Sequence, residues 1–316
     1  MVVDGYSFEG RVAVVTGAGR GIGRSYAQLL ASRGASVVVN DLGGSMGGVG
    51  EDADVASRVA ASIAGAGGAA VADGSDVSTA EGGQSLIATA VEQFGRIDIL
   101  INNAGIIRWA GLPEADMDNL ARHLAVHVTG SFNTTRAAWP HMVDQGYGRI
   151  VMTTSSGLFG LPTNLSYAAA KGAVIGLTRS LTTAGGAHGI KVNCIAPGAF
   201  TRMAGQPAAD TGSTGGSDPA QMSPDLVAPM VAFLAHEDCP VSGEIYAAGF
   251  GRFARLFIAS TEGYVHPTAE PTIEDVAQHW ATINDETGYY VPADLMAWSA
   301  AFMAHLDPDG GAPVAR

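Results

Sequence analysis

Cysteine is nearly absent from this 316-residue chain: there are two, Cys194 and Cys239, each in an apolar setting. A disulfide framework or a thiolate metal cluster needs more than that, so both are excluded and a reducing cytoplasmic compartment fits. Cations are scarce as well. Seventeen Lys and Arg stand against thirty Asp and Glu, a formal net charge of -13, which opposes broad attraction to nucleic acid or to anionic lipid. No apolar run approaches the roughly 18 residues that a membrane helix needs, and residues 1–10 lack the apolar core of a signal peptide. Secretion and membrane insertion are not expected. Charged residues reach only 15% against 47% hydrophobic ones, far from the composition that keeps chains disordered.

What is present is rhythm. Short runs rich in Val and Ile recur at 11–16, 36–40, 69–73, 97–101, 149–154, 190–195 and 244–248, with longer helical patterns between them. Strands of near-continuous apolar character, alternating with helices, predict a doubly wound α/β fold of the Rossmann type: a parallel seven-stranded sheet covered on both faces. From about Leu256 the rhythm stops, and helical patterns near 272–283 and 292–305 close the chain. The expected division is a nucleotide-binding catalytic domain over 1–255 and a C-terminal helical extension over 256–316, packed on the same domain or on a neighbouring subunit. Two glycine-rich stretches, 42–50 and 205–220, read as loops. The second lies between the sixth and seventh strands, and is either a plain surface insertion or a lid over a pocket at the carboxyl ends of the strands.

After the first strand comes Thr16-Gly17-Ala18-Gly19-Arg20-Gly21-Ile22-Gly23, leading into an amphipathic helix. Gly17, Gly21 and Gly23 permit a tight turn and let backbone amides approach a pyrophosphate at a helix N-terminus. Asp41 follows Gly23 by 18 positions, at the end of the second strand and before Leu42. An acid there accepts hydrogen bonds from the ribose hydroxyls and repels a 2'-phosphate, which favours NAD over NADP. Asp41 also begins good turn chemistry with Gly43 and Gly44, and Arg20 could pair with a 2'-phosphate.

Further motifs follow in order: Asp76-Val77 after the third strand, Asn102-Asn103-Ala104-Gly105 after the fourth, Tyr167-Ala168-Ala169-Ala170-Lys171, and Pro197-Gly198. Over about residues 8–250 the set resembles the short-chain dehydrogenase/reductase family. That resemblance implies that Asp76 and Val77 flank an adenine, that Asn103, Ala104 and Gly105 floor the cofactor cleft, and that Pro197 and Gly198 line its nicotinamide side. It also implies that Tyr167 and Lys171 meet the nicotinamide end, with Lys171 on the ribose.

Tyr167 and Lys171 are four apart, so on a helix they share a face. An ammonium beside a phenol favours phenolate, which would lower a pKa of about 10 and let Tyr167 act as general acid or base. A serine at the end of the fifth strand should orient the substrate oxygen. Ser155 is the choice, although the family spacing falls on Thr154, and Ser156 is a further candidate. Where the family usually has Asn, this chain has His127, within Val126-His127-Val128-Thr129-Gly130; an imidazole there could hold a proton relay toward Lys171. His123 and His127 have metal-ligand spacing, but no H-E-x-x-H pattern or nearby carboxylate supports them, and no metal is expected.

Longer strings, among them Val38-Val39-Asn40-Asp41-Leu42-Gly43-Gly44 and Arg136-Ala137-Ala138-Trp139, resemble the dehydrogenase domain of peroxisomal type 2 multifunctional enzymes, which act on 3-hydroxyacyl-CoA. The implied substrate is a 3-hydroxyacyl-CoA or a similarly large secondary alcohol. Arg108, Arg202, Arg252 and Arg255 could meet CoA phosphates or serve only solubility; a steroid or other hydrophobic alcohol needs no such patch. The chain ends without a Ser-Lys-Leu address, which leaves a cytoplasmic location as the expectation. By family analogy it forms a homodimer or homotetramer. A cofactor-binding sensor without turnover is the reading from outside the enzyme class, and intact Tyr167 and Lys171 oppose it.

Overall fold

The computed structural model describes residues 5–201, 203, 219–268 and 270–306. The chain divides between residues 255 and 256 into two compact units. Strands β1 (Val12–Thr16), β2 (Ser36–Asn40), β3 (Ala69–Asp73), β4 (Ile99–Asn102), β5 (Gly148–Thr153), β6 (Ile190–Gly198), β7 (Ile245–Gly249) and β8 (Arg252–Leu256), all but Leu256 within the first unit, form one sheet in the order β3-β2-β1-β4-β5-β6-β7-β8. Every residue of β1, β4 and β5 is buried, because helices cover both faces and leave no side of these strands to water; hence their largely apolar sequence, with polar residues only near the strand ends. Helix α1 (Gly21–Ser32) packs on α2 (Asp54–Gly65) and α7 (Ala228–Ala235), and α3 (Ala80–Phe94) packs on α5 (Gly130–Gln145). Local chemistry fixes the helix ends. Thr79 caps α3 by accepting from the Gly82 N–H, and Gly95, at φ 80°, ends it in the left-handed conformation.

The pairs from β1 to β7 are parallel, but the sheet has eight strands where seven are predicted. The eighth follows β7 after two residues and lies beside it; so short a link permits only an antiparallel pair. All of its residues are exposed or half-buried, so no apolar pattern marks it. Strand β6 also runs three residues past its predicted end, pairing Pro197 with Ala248 and Gly198 with Gly249. A second departure lies in the helix between β4 and β5. It runs from α4 (Met117–His123) through a π-helical stretch, Leu124–Thr129, into α5. The wider turn shifts which side chains face the sheet, and His127 falls within it.

The second unit stands apart in character. An isolated antiparallel bridge joins Ser260 to Tyr290, and Tyr264 stacks on His279 at 3.7 Å. The predicted helix near 272–283 is two short ones, α8 (Ile273–Gln278) and α9 (Trp280–Ile283). Thr272 and Asp275 form a reciprocal capping box at the first N-terminus, and the break falls at His279, whose Nδ1 meets the Asp275 carbonyl at 2.9 Å. Helix α10 (Leu295–Met303) starts on an Asp294 cap, and none of the three helices has a buried residue. Among the described residues no helix is long and apolar enough to cross a membrane.

Candidate active site

The carboxyl ends of β1 to β4 open onto a cleft of about 500 Å³. The predicted residues Gly17, Arg20, Gly21, Ile22, Gly23, Asp41, Leu42, Asp76, Val77, Asn103, Ala104 and Gly105 all line it. Its shape depends on missing side chains: at Gly17, φ 63°, a β-carbon would stand 2.9 Å from Ala104 Cα, and one at Gly23 would overlap the Gly17 carbonyl oxygen. Asn103 staples the two turns together, its Nδ2 donating to the carbonyls of Thr16 (2.9 Å) and Gly17 (3.2 Å). The Thr16 hydroxyl accepts from the backbone N–H groups of Asn103 and Ala104, both at 2.9 Å. A cradle of backbone amides at a helix N-terminus, too close for side chains, fits the pyrophosphate of a dinucleotide.

Asp41 follows the end of β2 and lines the cleft beside the glycine turn. Its carboxylate accepts from the N–H groups of Gly19 (2.9 Å) and Gly43 (2.8 Å), so it both braces the turn and presents negative charge to the cleft. Arg20 is committed to the neighbouring loop: it donates to the carbonyls of Gly44 (3.1 Å) and Gly43 (3.5 Å) and lies 4.0 Å from Asp52. Sequence reasoning passed over Ile106, Phe200, Thr201 and Met203, which also line the cleft; their only signal is a position just past a strand end. Pro197 and Gly198 lie outside this lining, at the end of β6, two strands along the sheet from β4.

Tyr167 and Lys171 both lie in α6 (Leu165–Gly185). The buried Lys171 ammonium donates to the Thr153 carbonyl at 2.8 Å, and loss of solvent pulls its pKa down to about 8. Three consecutive hydroxyls at the end of β5 have separate fates. Thr154 is fully buried and donates to the Lys171 carbonyl at 2.8 Å, Ser156 is exposed, and Ser155 accepts from the Gly157 N–H at 3.0 Å, with its Oγ and the Tyr167 ring edge both 3.3 Å from where a Gly157 β-carbon would stand. The structure therefore brings Ser155 to the tyrosine. One expectation is corrected: the Tyr167 phenol is raised above its ordinary value by burial, which outweighs the lowering influence of the nearby Ser155 hydroxyl. Lys171 does not lower it because its ammonium lies over the ring face, 5.7 Å from the centroid, and is turned to the Thr153 carbonyl.

The two histidines hold a loop. His127 Nε2 donates to the Ile106 carbonyl at 2.8 Å, and His123 accepts from the Arg108 N–H at 3.2 Å through Nε2 while Nδ1 donates to the Asn119 carbonyl at 2.7 Å. Their rings stack at 6.0 Å, and each meets Tyr167 edge-on, at 5.4 Å from His127 and 6.2 Å from His123. Burial holds both imidazoles below their ordinary pKa, with the Lys171 charge acting the same way, which favours the neutral form of each. Their spacing serves the 106–108 backbone, and among the described residues no group of three or more His, Cys, Asp or Glu could hold a metal ion. Two buried polar atoms near the lysine, His127 Nδ1 and Thr153 Oγ1, have no hydrogen-bond partner.

Of the arginines proposed for phosphates, Arg108 pairs with Asp118 at 3.0 Å and Arg255 is bidentate to Glu244 at 2.7 and 2.9 Å. Arg252 is exposed. Arg202 and nearly all of the 205–220 stretch lie outside the described residues.

Residues 11–211 match the sequence family described as short chain dehydrogenase. A short-chain type dehydrogenase/reductase of Mycobacterium tuberculosis is 40% identical over 283 residues, 88% of this chain and 95% of that protein. Full-length peroxisomal multifunctional enzyme type 2 of Drosophila melanogaster superposes with a TM-score of 0.78 at 34% identity, covering 96% of this chain; this chain spans only 50% of its length. A 7α-hydroxysteroid dehydrogenase, solved with NADH and 7-oxo glycochenodeoxycholic acid, gives a TM-score of 0.66 at 30% identity over 78% of this chain and 95% of that one.

Proposed function

From the premise that the chain belongs to the short chain dehydrogenase family, and is an oxidoreductase acting on CH–OH groups, we propose that it interconverts a 3-hydroxyacyl-CoA and its ketone with NAD. The observation that carries the proposal is the convergence of Ser155, Tyr167 and Lys171 at the end of β5, beside the nucleotide cleft. The nicotinamide dinucleotide, when bound, supplies the hydride acceptor. Ser155 orients the substrate oxygen toward Tyr167, which as phenol donates its proton to the ketone oxygen in reduction and, once that proton has passed to the Lys171 side, takes the alcohol's hydroxyl proton as phenolate in oxidation. Lys171, with a pKa of about 8, can exchange a proton near neutral pH; its remaining N–H groups are available for the nicotinamide ribose. His127, whose Nδ1 has no protein partner, sits in the relay position next to it. The Asp41 carboxylate, and an Arg20 tied to the 43–44 carbonyls, support NAD over NADP.

For the acyl part, support comes from an apolar rim. Ala110 bridges to Asn164, which joins two segments carrying the exposed side chains of Trp109, Leu112, Phe159, Leu161 and Leu165. The similarity to the Drosophila enzyme points the same way. A hydrophobic alcohol without a phosphate-bearing carrier is the second reading, favoured by the ion pairs that occupy Arg108 and Arg255. A cytoplasmic homodimer or homotetramer completes the proposal, its assembly to be checked by light scattering.

The test is NADH or NADPH formation by the purified protein with 3-hydroxyacyl-CoAs of graded length beside steroid alcohols. NAD-dependent oxidation of an acyl-CoA, lost in Tyr167→Phe, is the expected result. Turnover of steroids alone would overturn the substrate and leave the chemistry, whereas an unchanged Tyr167→Phe variant would overturn the chemistry.

A further inference from the structure

Phe250 is the one non-glycine residue with positive φ, 54°, among the described residues. Together with Gly251, at φ 76°, it makes the two-residue link between β7 and β8. Two successive left-handed residues define a type I' turn, which selects Asn, Asp or Gly at its first central position. A bulky side chain there is a conformational outlier. Core packing does not account for it, since Phe250 is 57% exposed. One edge of the ring nevertheless has a fixed seat. A β-carbon at Gly198 would stand 2.7 Å from Phe250 Cε2 and 3.3 Å from Cδ2, so the absence of a side chain on β6 makes room for the aromatic.

The seat is close to the chemistry. Thr153 and Ile195 are the last paired residues of β5 and β6, so Ser155 and Pro197 each lie two residues beyond that level on adjoining strands, and Gly198 comes next. The nucleotide cleft is lined by neither Pro197, Gly198 nor Phe250. The ring therefore sits on the end of β6, the strand that adjoins β5 and its Ser155, and outside the lining of the glycine-turn cleft. Strain that persists without burial to explain it is found where a side chain meets a ligand.

We infer that Phe250 is a specificity-determining residue, the apolar wall on which the larger substituent of the alcohol's carbinol carbon rests. This inference rests on the dehydrogenase reading above but not on the acyl-CoA. It is tested with Phe250→Asn, which suits the left-handed turn and removes the ring, and Phe250→Leu, which keeps apolar bulk. The substrates are a homologous series of whichever secondary alcohols the wild type oxidises. The Asn variant should unfold at the same or a higher temperature and bind NADH within twofold of wild type. Its kcat/KM should fall about tenfold or more for the longest members and less for the shortest, with Phe250→Leu recovering most of the loss. An unchanged chain-length profile in a folded Asn variant would overturn the inference; so would an equal fall for every substrate accompanied by weaker NADH binding. If acyl-CoAs are not oxidised but other alcohols are, the substrate reading fails and this one is decided on those alcohols.

Discussion

The two edges of the sheet treat charge in opposite ways. At the amino edge of β4, Asp98 is fully buried and completely satisfied: it accepts from Arg96 Nε (2.8 Å) and Nη2 (2.7 Å), Arg11 Nη1 (3.2 Å) and the Val12 N–H (2.9 Å). Nearby, two guanidiniums lie over the Tyr147 ring, Arg11 at 3.9 Å and Arg149 at 4.3 Å from its centroid. At the carboxyl edge, Lys171 is buried with a single backbone acceptor, and His127 Nδ1 and Thr153 Oγ1 have none. A buried charge with full partners holds a fold together; one left under-partnered raises the energy of the folded state and persists where a ligand completes it. On the proposed function, one edge of this molecule carries stability and the other carries chemistry.

Crossed substitutions can break that comparison. Asp98→Ala should cost about 3–5 kcal/mol of unfolding free energy, because three arginine hydrogen bonds and a backbone N–H lose their acceptor, while kcat of the folded fraction stays near wild type. Chemical denaturation and steady-state kinetics on one preparation check both halves. Tyr167→Phe should do the reverse, lowering kcat/KM by about 10³ through loss of the general acid/base with little change in unfolding. A smaller effect tests whether carboxyl-edge charges are there for the ligand. Asp41→Ser keeps a turn-forming side chain and removes the negative charge, so the NAD-to-NADP ratio of kcat/KM should fall roughly tenfold, as expected for one charge–phosphate interaction.

The smallest effect is a pH dependence. Folded Lys171 releases its proton near pH 8, whereas the unfolded chain holds it to 10.5. Between those values the unfolded state binds more protons, so this stability is complete above 10.5 and is lost as pH falls through 8. Cys194, pushed up to about 11 by burial, acts in the opposite direction above its ordinary value of 9, which leaves pH 8 to 9 as the clean window. Unfolding free energy of the ligand-free protein should rise across it by about 1 kcal/mol, and Lys171→Met should flatten the rise.

Legibility in the sequence followed burial. Strands β2 and β3 are bounded where Val- and Ala-rich runs end, and the glycine turn, Asp41, Asp76 and Asn103 reach one cleft because each sits at a strand end, a position that pattern reveals. Strand β8 was not legible: its side chains are exposed or half-buried, and its turn carries Phe where a turn signal would be Asn or Asp. The loop-holding contacts of the histidine pair were not legible because its partners are backbone groups at Ile106, Arg108 and Asn119, and spacing along a helix says nothing about those. Whether Lys171 would lower the Tyr167 pKa depended on where the ammonium points. Four residues of separation put both on one helix face but could not show that the Thr153 carbonyl takes the lysine.

The most direct measurement is the rate of NADH formation by Tyr167→Phe against wild type, on the best alcohol found and at matched folded fraction. A loss of about 10³-fold with an unaltered denaturation curve is predicted. A variant that keeps its rate, or one that loses rate only because it unfolds, would contradict the assignment of chemistry to the carboxyl edge.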